Sequence, residues 1–171
     1  MEIIGFGGSC HWCTEAIFQS LNSVRKVEQG WIASSGEHWE LSEAVLVSYE
    51  PGEISLEILI KVHLYTHSCT SQHSMRAKYR SAVYVTTCEQ EQQAIVAITN
   101  LQIDFPDAII TQVLPFVSFK LNDEYLNYYY ENPEKPFCKN IVNPKLKALL
   151  AKFSNLVDKN KLQHLNESQN D

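Results

Sequence analysis

The chain has 171 residues, of which 44% are hydrophobic and 20% are charged, and its formal net charge is −6. A chain of this length buries about two thirds of the surface that it exposes when unfolded, so one compact domain is expected. The acidic balance argues against a nucleic-acid partner, because such proteins concentrate Lys and Arg on one face. No apolar run approaches the roughly 20 residues of a membrane span, and no secretory pattern opens the chain, so we expect a soluble cytoplasmic protein with no membrane partner.

The first predicted elements surround a cysteine. Residues 2–6 favour a strand that stops at Gly7-Gly8, and the apolar spacing that follows predicts a helix with Ser9 as its N-cap. This interpretation places Cys10 in the first helical turn. Unpaired N–H groups and the helix dipole lower the pKa of a thiol there and turn it into a nucleophile.

Strands and helices alternate along the rest of the chain. Further strands are predicted over 24–32, 42–49, 81–86 and 108–116, and helices over 55–65, 89–101, 123–130 and 144–153. In the helix over 89–101 we expect Ala94, Ile95, Ala97 and Ile98 to face inward. Residues 66–78 form a polar loop, and a loop of that length is more often functional than not. The pattern predicts an α/β protein with a mixed sheet and flanking helices.

The domain boundary is predicted from composition. Residues 1–153 are expected to form a single domain, and 154–171 a polar tail that is partly helical. From Gln163 onward we expect fraying or disorder, because the tail carries too few apolar residues to bury.

Cysteine use favours redox chemistry over a disulfide framework. The five cysteines are too sparse for a secreted disulfide scaffold and are expected to be free thiols in a reducing compartment, with any disulfide transient. His63, His67, Cys69 and His73 could be drawn together around a metal ion, but their spacing matches no established ligand pattern. We therefore expect no metal.

A family resemblance runs through these features in order, over about residues 3–153. The run Gly8-Ser9-Cys10-His11-Trp12-Cys13-Thr14-Glu15 resembles the G-C-F-W-[CGSA]-x-E motif of the A-type peptide methionine sulfoxide reductases. Further similarity lies at Gln29-Gly30-Trp31, Ser42-Glu43-Ala44-Val45, Tyr79-Arg80-Ser81-Ala82, Asn132-Pro133, Phe137-Cys138 and Pro144-Lys145-Leu146. The resemblance implies a two-layer α+β sandwich with a ferredoxin-like split β-α-β core.

The resemblance also implies a reaction. A thiolate attacks the sulfur of a methionine S-sulfoxide, peptide-bound or free, and takes its oxygen as a sulfenic acid that another cysteine clears. By motif position Cys10 is the nucleophile, Glu43 the acid, Tyr79 a hydrogen-bond donor to the oxygen, and Trp12 part of the methyl pocket. Glu43 is expected to be buried against apolar neighbours rather than salt-bridged. No cofactor is implied, the reductant is thioredoxin or another thiol, and a monomer is expected.

Departures from the family pattern bear on the substrate. His11 stands where the family has Phe, Trp31 where it has Tyr, and Ser74 where it has a pocket Asp, while Arg76 replaces a nearby Gly. We expect these changes to move the pocket from acidic towards basic, which makes an anionic or non-peptide sulfoxide an alternative substrate. A further hypothesis is that the His11 imidazole lowers the pKa of Cys10 or reshapes the methyl pocket.

Two thiols are candidates to resolve the sulfenic acid. Cys13 forms a C-x-x-C pair with Cys10, and Cys138 lies in a Pro-flanked segment predicted to be mobile, which favours Cys138 slightly. Two other functions stay open. One is a thiol-disulfide oxidoreductase or redox sensor that cycles Cys10 and Cys13, and the other is a non-catalytic binding module that kept the scaffold.

Overall fold

One mixed sheet organises the computed structural model, which describes residues 1–167. Its strands are β1 (Glu2–Gly7), β2 (Val24–Ala33), β3 (Ser42–Tyr49), β4 (Ala82–Val85), β5 (Gln112–Pro115) and β6 (Ser118–Leu121). The six strands lie in the order β5-β4-β1-β3-β2-β6. Every neighbouring pair is antiparallel except β4 and β5, which are parallel.

The helices are α1 (His11–Gln19), α2 (Leu56–Thr66), α3 (Cys88–Leu101), α4 (Tyr128–Glu131), α5 (Asn143–Lys152) and α6 (Gln163–Glu167). A π-helical turn over Cys138–Val142 leads into α5. The Ser55 side chain caps α2 by accepting from the Ile58 N–H, and Thr87 caps α3 by accepting from the Gln90 N–H. The four central strands with α1 and α2 have the order of a split β-α-β unit, so the predicted fold class is confirmed.

The two faces of the sheet are covered differently, because successive strand residues point to opposite sides. Ile4, Phe6 and Val47 face the main core, to which the inner residues of α1, α2, α3 and α5 also belong. The opposite face carries a smaller cluster around Ile32 and Tyr84, without helical residues. The sequence-based assignment of inner positions on α3 holds for Ala94 and Ala97 but is wrong for Ile95, whose side chain is 45% exposed.

Elements after residue 108 differ most from the prediction. The expected strand over 108–116 shortens to β5, the edge strand β6 was not predicted, and the expected helix over 123–130 reduces to α4. The late start of α4 has its cause in α1, where the Glu15 carboxylate accepts hydrogen bonds from the Asn127 and Tyr128 N–H groups at 3.1 Å each. Asn127 adopts a left-handed φ of 57°, so a helix begins only after it.

The end of the chain packs on the main core. Val157, Leu162 and Leu165 are buried in the same cluster as the residues of the predicted domain. Gln163–Glu167 is helical, so the expected disorder is wrong for these residues, and the rest of the predicted disordered tail, 168–171, lies outside the described residues. Between residues 1 and 167 no helix is long and apolar enough to cross a membrane.

Candidate active site

Cys10 lies at the junction of β1 and α1. It is itself the N-cap residue of α1, so the prediction of Ser9 in that position is wrong; Ser9 Oγ instead contacts Thr14 Oγ1 at 3.1 Å. The preceding Gly8 has a φ of 144°, and a Cβ there would lie 2.5 Å from a ring carbon of His67. Only glycine fits this turn, which delivers the Cys10 thiol directly to the start of the helix.

The surroundings of Cys10 lower the pKa of its thiol. A hydrogen bond from the Cys13 side chain is the largest influence on the pKa of Cys10 and lowers it; the N–H groups of Trp12 and Cys13 act in the same direction, and burial and the Glu43 charge oppose them. The net effect is a lowered pKa. The pKa of Cys13 is raised, first because it donates to Cys10 and then because it is buried. These opposite shifts favour the thiolate form of Cys10 over that of Cys13.

Glu43 projects from β3 towards the same helix start. Its side chain is 10% exposed, and Oε2 accepts from the His11 N–H at 3.1 Å. The predicted burial is confirmed. The expectation that it forms no ion pair is wrong, because Lys78 Nζ lies 3.9 Å from Glu43 Oε1. A backbone hydrogen bond from Glu43 N to Lys78 O, 2.9 Å long, brings the two residues side by side.

A cavity of ≈320 Å³ opens in front of the thiol, and we call it the thiol cavity. Its lining residues are Gly8, Ser9, Cys10, Cys13, Ser68, His73, Met75, Tyr79, Ile141 and Lys145. The fold thus brings Tyr79, which is distant in the chain, to the cavity that Cys10 and Cys13 line. Glu43 lies outside the lining and reaches the site through the His11 amide beside Cys10.

Trp12 belongs to an aromatic cluster next to this cavity rather than to its lining. Its ring stacks on Tyr128 with centroids 3.9 Å apart and meets Tyr125 and Phe137 edge-on. Trp12 Nε1 is buried and has no hydrogen-bond partner among the described residues. The Glu15 bonds to the backbone around Tyr128 hold this cluster against α1.

The model of the family described as "Peptide methionine sulfoxide reductase" matches residues 2–157. The chain belongs to this family. The membership confirms the predicted family and enzyme class, so the protein is an oxidoreductase.

Relatives and solved structures agree with the family match. Peptide methionine sulfoxide reductase MsrA of Deinococcus radiodurans is 35% identical over 161 residues, which cover 84% of this chain and 78% of that protein. Mxr1 from Saccharomyces cerevisiae in reduced form shares the fold with a TM-score of 0.71 at 21% identity, covering 80% of this chain and 88% of its own. The structure of Mxr1 in complex with Trx2 has a TM-score of 0.61 at 20% identity, and the match covers 74% of this chain and 84% of that chain.

His11 and Trp31, two departures from the reductase family pattern, contact each other away from the thiol cavity. His11 is buried; its Nδ1 donates to the Gly30 carbonyl at 3.0 Å, and its Nε2 faces Asn122 Nδ2 at 3.5 Å. The Trp31 ring meets the His11 ring edge-on, with centroids 5.3 Å apart. The pKa of Cys10 is influenced first by Cys13, then by burial, Trp12 and Glu43. The hypothesis that the His11 imidazole lowers this pKa or reshapes the methyl pocket stays a prediction.

Ser74 and Arg76, the other departures, differ in their relation to the thiol cavity. Ser74 is exposed and does not line the cavity, although its neighbours His73 and Met75 do. The Arg76 guanidinium donates to four backbone carbonyls, those of Gly8, Ser68, Ser71 and Tyr79. These bonds hold the loop against the turn before Cys10 but leave the guanidinium charged, so the expected shift of pocket charge through Arg76 stays a prediction.

Cys138 is fully buried in the π-helical turn that precedes α5. Burial raises the pKa of its thiol, and its charge in turn influences Cys13. The predicted mobile segment is thus a packed helical turn in this structure. Cys13 and Cys138 are both buried in the main core, against which Cys10 packs.

His63 in α2 and His67 directly after it form a pair of neutral rings. Their rings stack with centroids 4.1 Å apart, and His67 Nε2 contacts Ser81 Oγ at 2.8 Å. Burial lowers the pKa of His67 to about 4 and that of His63 well below its usual value. Within residues 1–167 no three His, Cys, Asp or Glu side chains are grouped to hold a metal ion.

Two lysines at the site were not predicted as functional. Lys78 lies beside Glu43, and its Nζ sits 5.1 Å from the centroid of the Tyr79 ring. Lys145 lines the thiol cavity from α5. For Lys145 the sequence offered a signal, because it lies in the Pro144-Lys145-Leu146 similarity. Lys78 offered none, because a hydrogen bond between its carbonyl and the Glu43 N–H, far away in the chain, sets its position.

Proposed function

We propose that this protein reduces methionine S-sulfoxide, peptide-bound or free, through Cys10. The observation that carries the proposal is the lowered pKa of a half-buried Cys10 that opens onto the thiol cavity opposite Tyr79. The Cys10 thiolate attacks the sulfoxide sulfur, the oxygen passes to Cys10, and one proton is taken up. The products are a thioether, reduced by two electrons, and a sulfenic acid on Cys10.

Glu43 and Tyr79 are suited to stabilise and protonate the sulfoxide oxygen. Tyr79 lines the cavity, so its hydroxyl can donate to the sulfoxide oxygen as negative charge develops there. Glu43 is nearly sealed from water, and its charge is felt at Cys10. It can relay the one proton that the reaction takes up, accepting it as a carboxylate, passing it to the departing oxygen and returning to the carboxylate form beside Lys78.

We further propose that Cys13 resolves the sulfenic acid first. Cys13 lies three residues after Cys10, lines the same cavity and is the largest influence on the pKa of Cys10, which supports a direct reaction between the two thiols. Condensation of the Cys10 sulfenic acid with the Cys13 thiol forms a disulfide and releases one water. In a second proposed exchange, Cys138, buried in the same core as Cys13, attacks the Cys13 sulfur, which forms a Cys13–Cys138 disulfide and releases the Cys10 thiolate.

Thioredoxin is the proposed final reductant, with no cofactor of the protein's own. A solved structure with this fold shows Mxr1 in complex with Trx2, which supports the choice of reductant. All five cysteines are free thiols, which suits a reducing compartment such as the predicted cytoplasm. The predicted monomer remains a proposal.

A coupled assay tests the function. Purified protein, thioredoxin, its reductase and NADPH are mixed with N-acetyl-methionine S-sulfoxide or R-sulfoxide, and NADPH loss is followed. We expect turnover with the S form alone, its abolition in Cys10→Ser, and its retention in Cys88→Ser, which alters an exposed cysteine away from the site.

Three outcomes would contradict this proposal. Turnover in Cys10→Ser would remove Cys10 as the nucleophile. Loss of the single, thioredoxin-free turnover in Cys13→Ser would favour a C-x-x-C oxidoreductase. A wild-type protein that reduces neither free nor peptide-bound sulfoxide, with an ordinary Cys10 pKa, would favour a binding module.

A further inference from the structure

We propose that Lys145 binds a carboxylate of the sulfoxide substrate, so that the site prefers a methionine sulfoxide that carries negative charge close to its sulfur. The inference rests on the proposed function and names its substrate class. Lys145 lies in the first turn of α5, half-buried, and lines the thiol cavity together with Cys10 and Cys13.

The positive charge of Lys145 acts on the thiol end of the cavity. It lowers the pKa of Cys13 against the opposing influences there, and it disfavours protonation of both His63 and His67. Cys13 lies in α1, whereas His63 lies in α2 and His67 directly follows that helix. The ammonium charge therefore acts on Cys13, which lines the thiol cavity together with Cys10.

The other nearby cations already have partners. Lys78 pairs with Glu43 and contacts the Tyr79 ring. Arg76 donates hydrogen bonds to its four carbonyls. Lys145, by contrast, makes no hydrogen bond or ion pair with any described residue. It is therefore the cation at this site that is available to a ligand.

No carboxylate of the protein competes for that cation inside the cavity. The lining contains neither Asp nor Glu, and Glu43, just outside it, is held by the His11 amide and Lys78. A half-buried ammonium without a partner has lost part of its hydration, so a carboxylate entering the cavity gains a charge-assisted hydrogen bond. Exposed Met75 and Ile141 on the lining leave apolar surface for the aliphatic part of the substrate.

The carboxylate could come from the sulfoxide residue itself or from an acidic neighbour, and three substrates separate the two. They are N-acetyl-methionine S-sulfoxide, its neutral N-methylamide, and the amidated dipeptide in which Glu follows the sulfoxide. For one or both charged substrates we expect a KM about tenfold below that of the neutral amide. If N-acetyl-methionine S-sulfoxide has a lower KM than the neutral amide, the α-carboxylate is the group that is bound. If only the dipeptide has a lower KM, the Glu side chain is.

Variants tie the preference to Lys145. In Lys145→Met the KM ratio between charged and neutral substrates should fall to near one, and Lys145→Arg should restore most of it. Lys147→Met, an exposed lysine on the same helix, serves as the matched control and should keep the wild-type ratio. Because each ratio compares substrates within one variant, any effect of Lys145 on recycling through Cys13 cancels.

Salt supplies a test that needs no variant. The KM of the charged substrates should rise with ionic strength while that of the amide stays constant, because screening weakens the ion pair alone. Equal KM values for charged and neutral substrates in wild type, or an unchanged ratio in Lys145→Met, would overturn the inference. Failure of the proposed function is distinguishable, since none of the three sulfoxides would then be reduced.

Discussion

The Arg76 guanidinium donates from Nη1 to the Gly8 carbonyl at 2.8 Å, which joins the long loop to the turn before Cys10. The same Nη1 donates to the Tyr79 carbonyl at 2.9 Å. One side chain therefore holds in register the two segments that carry the proposed nucleophile and the proposed oxygen ligand. Arg76, which the sequence suggested only as a change in pocket charge, thus also links the two segments by hydrogen bonds.

Replacing Arg76 should impair the reaction more than it impairs substrate binding. Lysine keeps the charge but lacks the planar fork that spans several carbonyls, so Arg76→Lys should lower kcat by roughly tenfold or more as Tyr79 loses its position. The coupled assay measures kcat and KM. Arg25→Lys, which changes an exposed arginine paired with Glu53, is the control. A kcat within twofold of wild type would show that Arg76 positions nothing in catalysis.

The Cys13 thiol should set the pKa of Cys10. In Cys13→Ala the donor is lost, so the pH midpoint for alkylation of Cys10 by iodoacetamide should rise. In Cys13→Ser a hydroxyl can replace the donor, and the midpoint should stay closer to wild type. Both measurements are made with Cys88→Ser in the background, to remove the exposed thiol. Identical midpoints in the Ala and Ser variants would argue against a hydrogen bond as the cause.

Glu43→Gln should move nucleophilicity and catalysis in opposite directions. The Glu43 charge raises the pKa of Cys10, so its removal should make Cys10 alkylation faster at neutral pH. Loss of the acid should nevertheless slow the single-turnover reduction by about a hundredfold. Rapid quenching and mass analysis of the sulfenic acid follow that step. If reduction accelerates together with alkylation, Glu43 is not the proton donor.

Stability should fall in mild acid because of His67. Its pKa in the folded protein is about 4, below the ordinary 6.5, so between these pH values the unfolded chain binds a proton that the folded one does not. Stability is therefore full above about pH 6.5 and is lost as pH falls towards 4, by about 3 kcal/mol at most. His63 adds a loss of the same sign.

Urea unfolding at pH 7 and pH 5 measures this loss. His67→Gln should flatten the difference between the two pH values, because the titrating ring is gone, even if it lowers stability at pH 7. His38→Gln, a histidine on the Gly36–His38 turn, is the matched control and should keep the wild-type difference. An unchanged pH dependence in His67→Gln would contradict the assignment.

Much of the fold and the outline of the site could be predicted from short stretches of the sequence. The strand, the Gly7-Gly8 turn and the helical spacing after them located Cys10 at a helix start, because these signals depend on a few adjacent residues. Motif positions nominated Glu43 and Tyr79. The prediction failed where distant segments decide the outcome: α4 starts late because Glu15, over a hundred residues earlier in the chain, binds its approaching backbone.

The sequence by itself therefore determined the family, the fold class and the position of the proposed nucleophile, since each is encoded in local spacing or in ordered motifs. Only the tertiary structure decided which charged groups lie at the thiol cavity. A hydrogen bond from the Glu43 N–H to the Lys78 carbonyl sets these two residues side by side, and backbone carbonyls bind the Arg76 guanidinium. Lys145 lines the cavity without a hydrogen bond or ion pair to any residue that the structure describes. Charge at a site depends on which partners neutralise it, and those partners come from segments that meet only when the chain is folded.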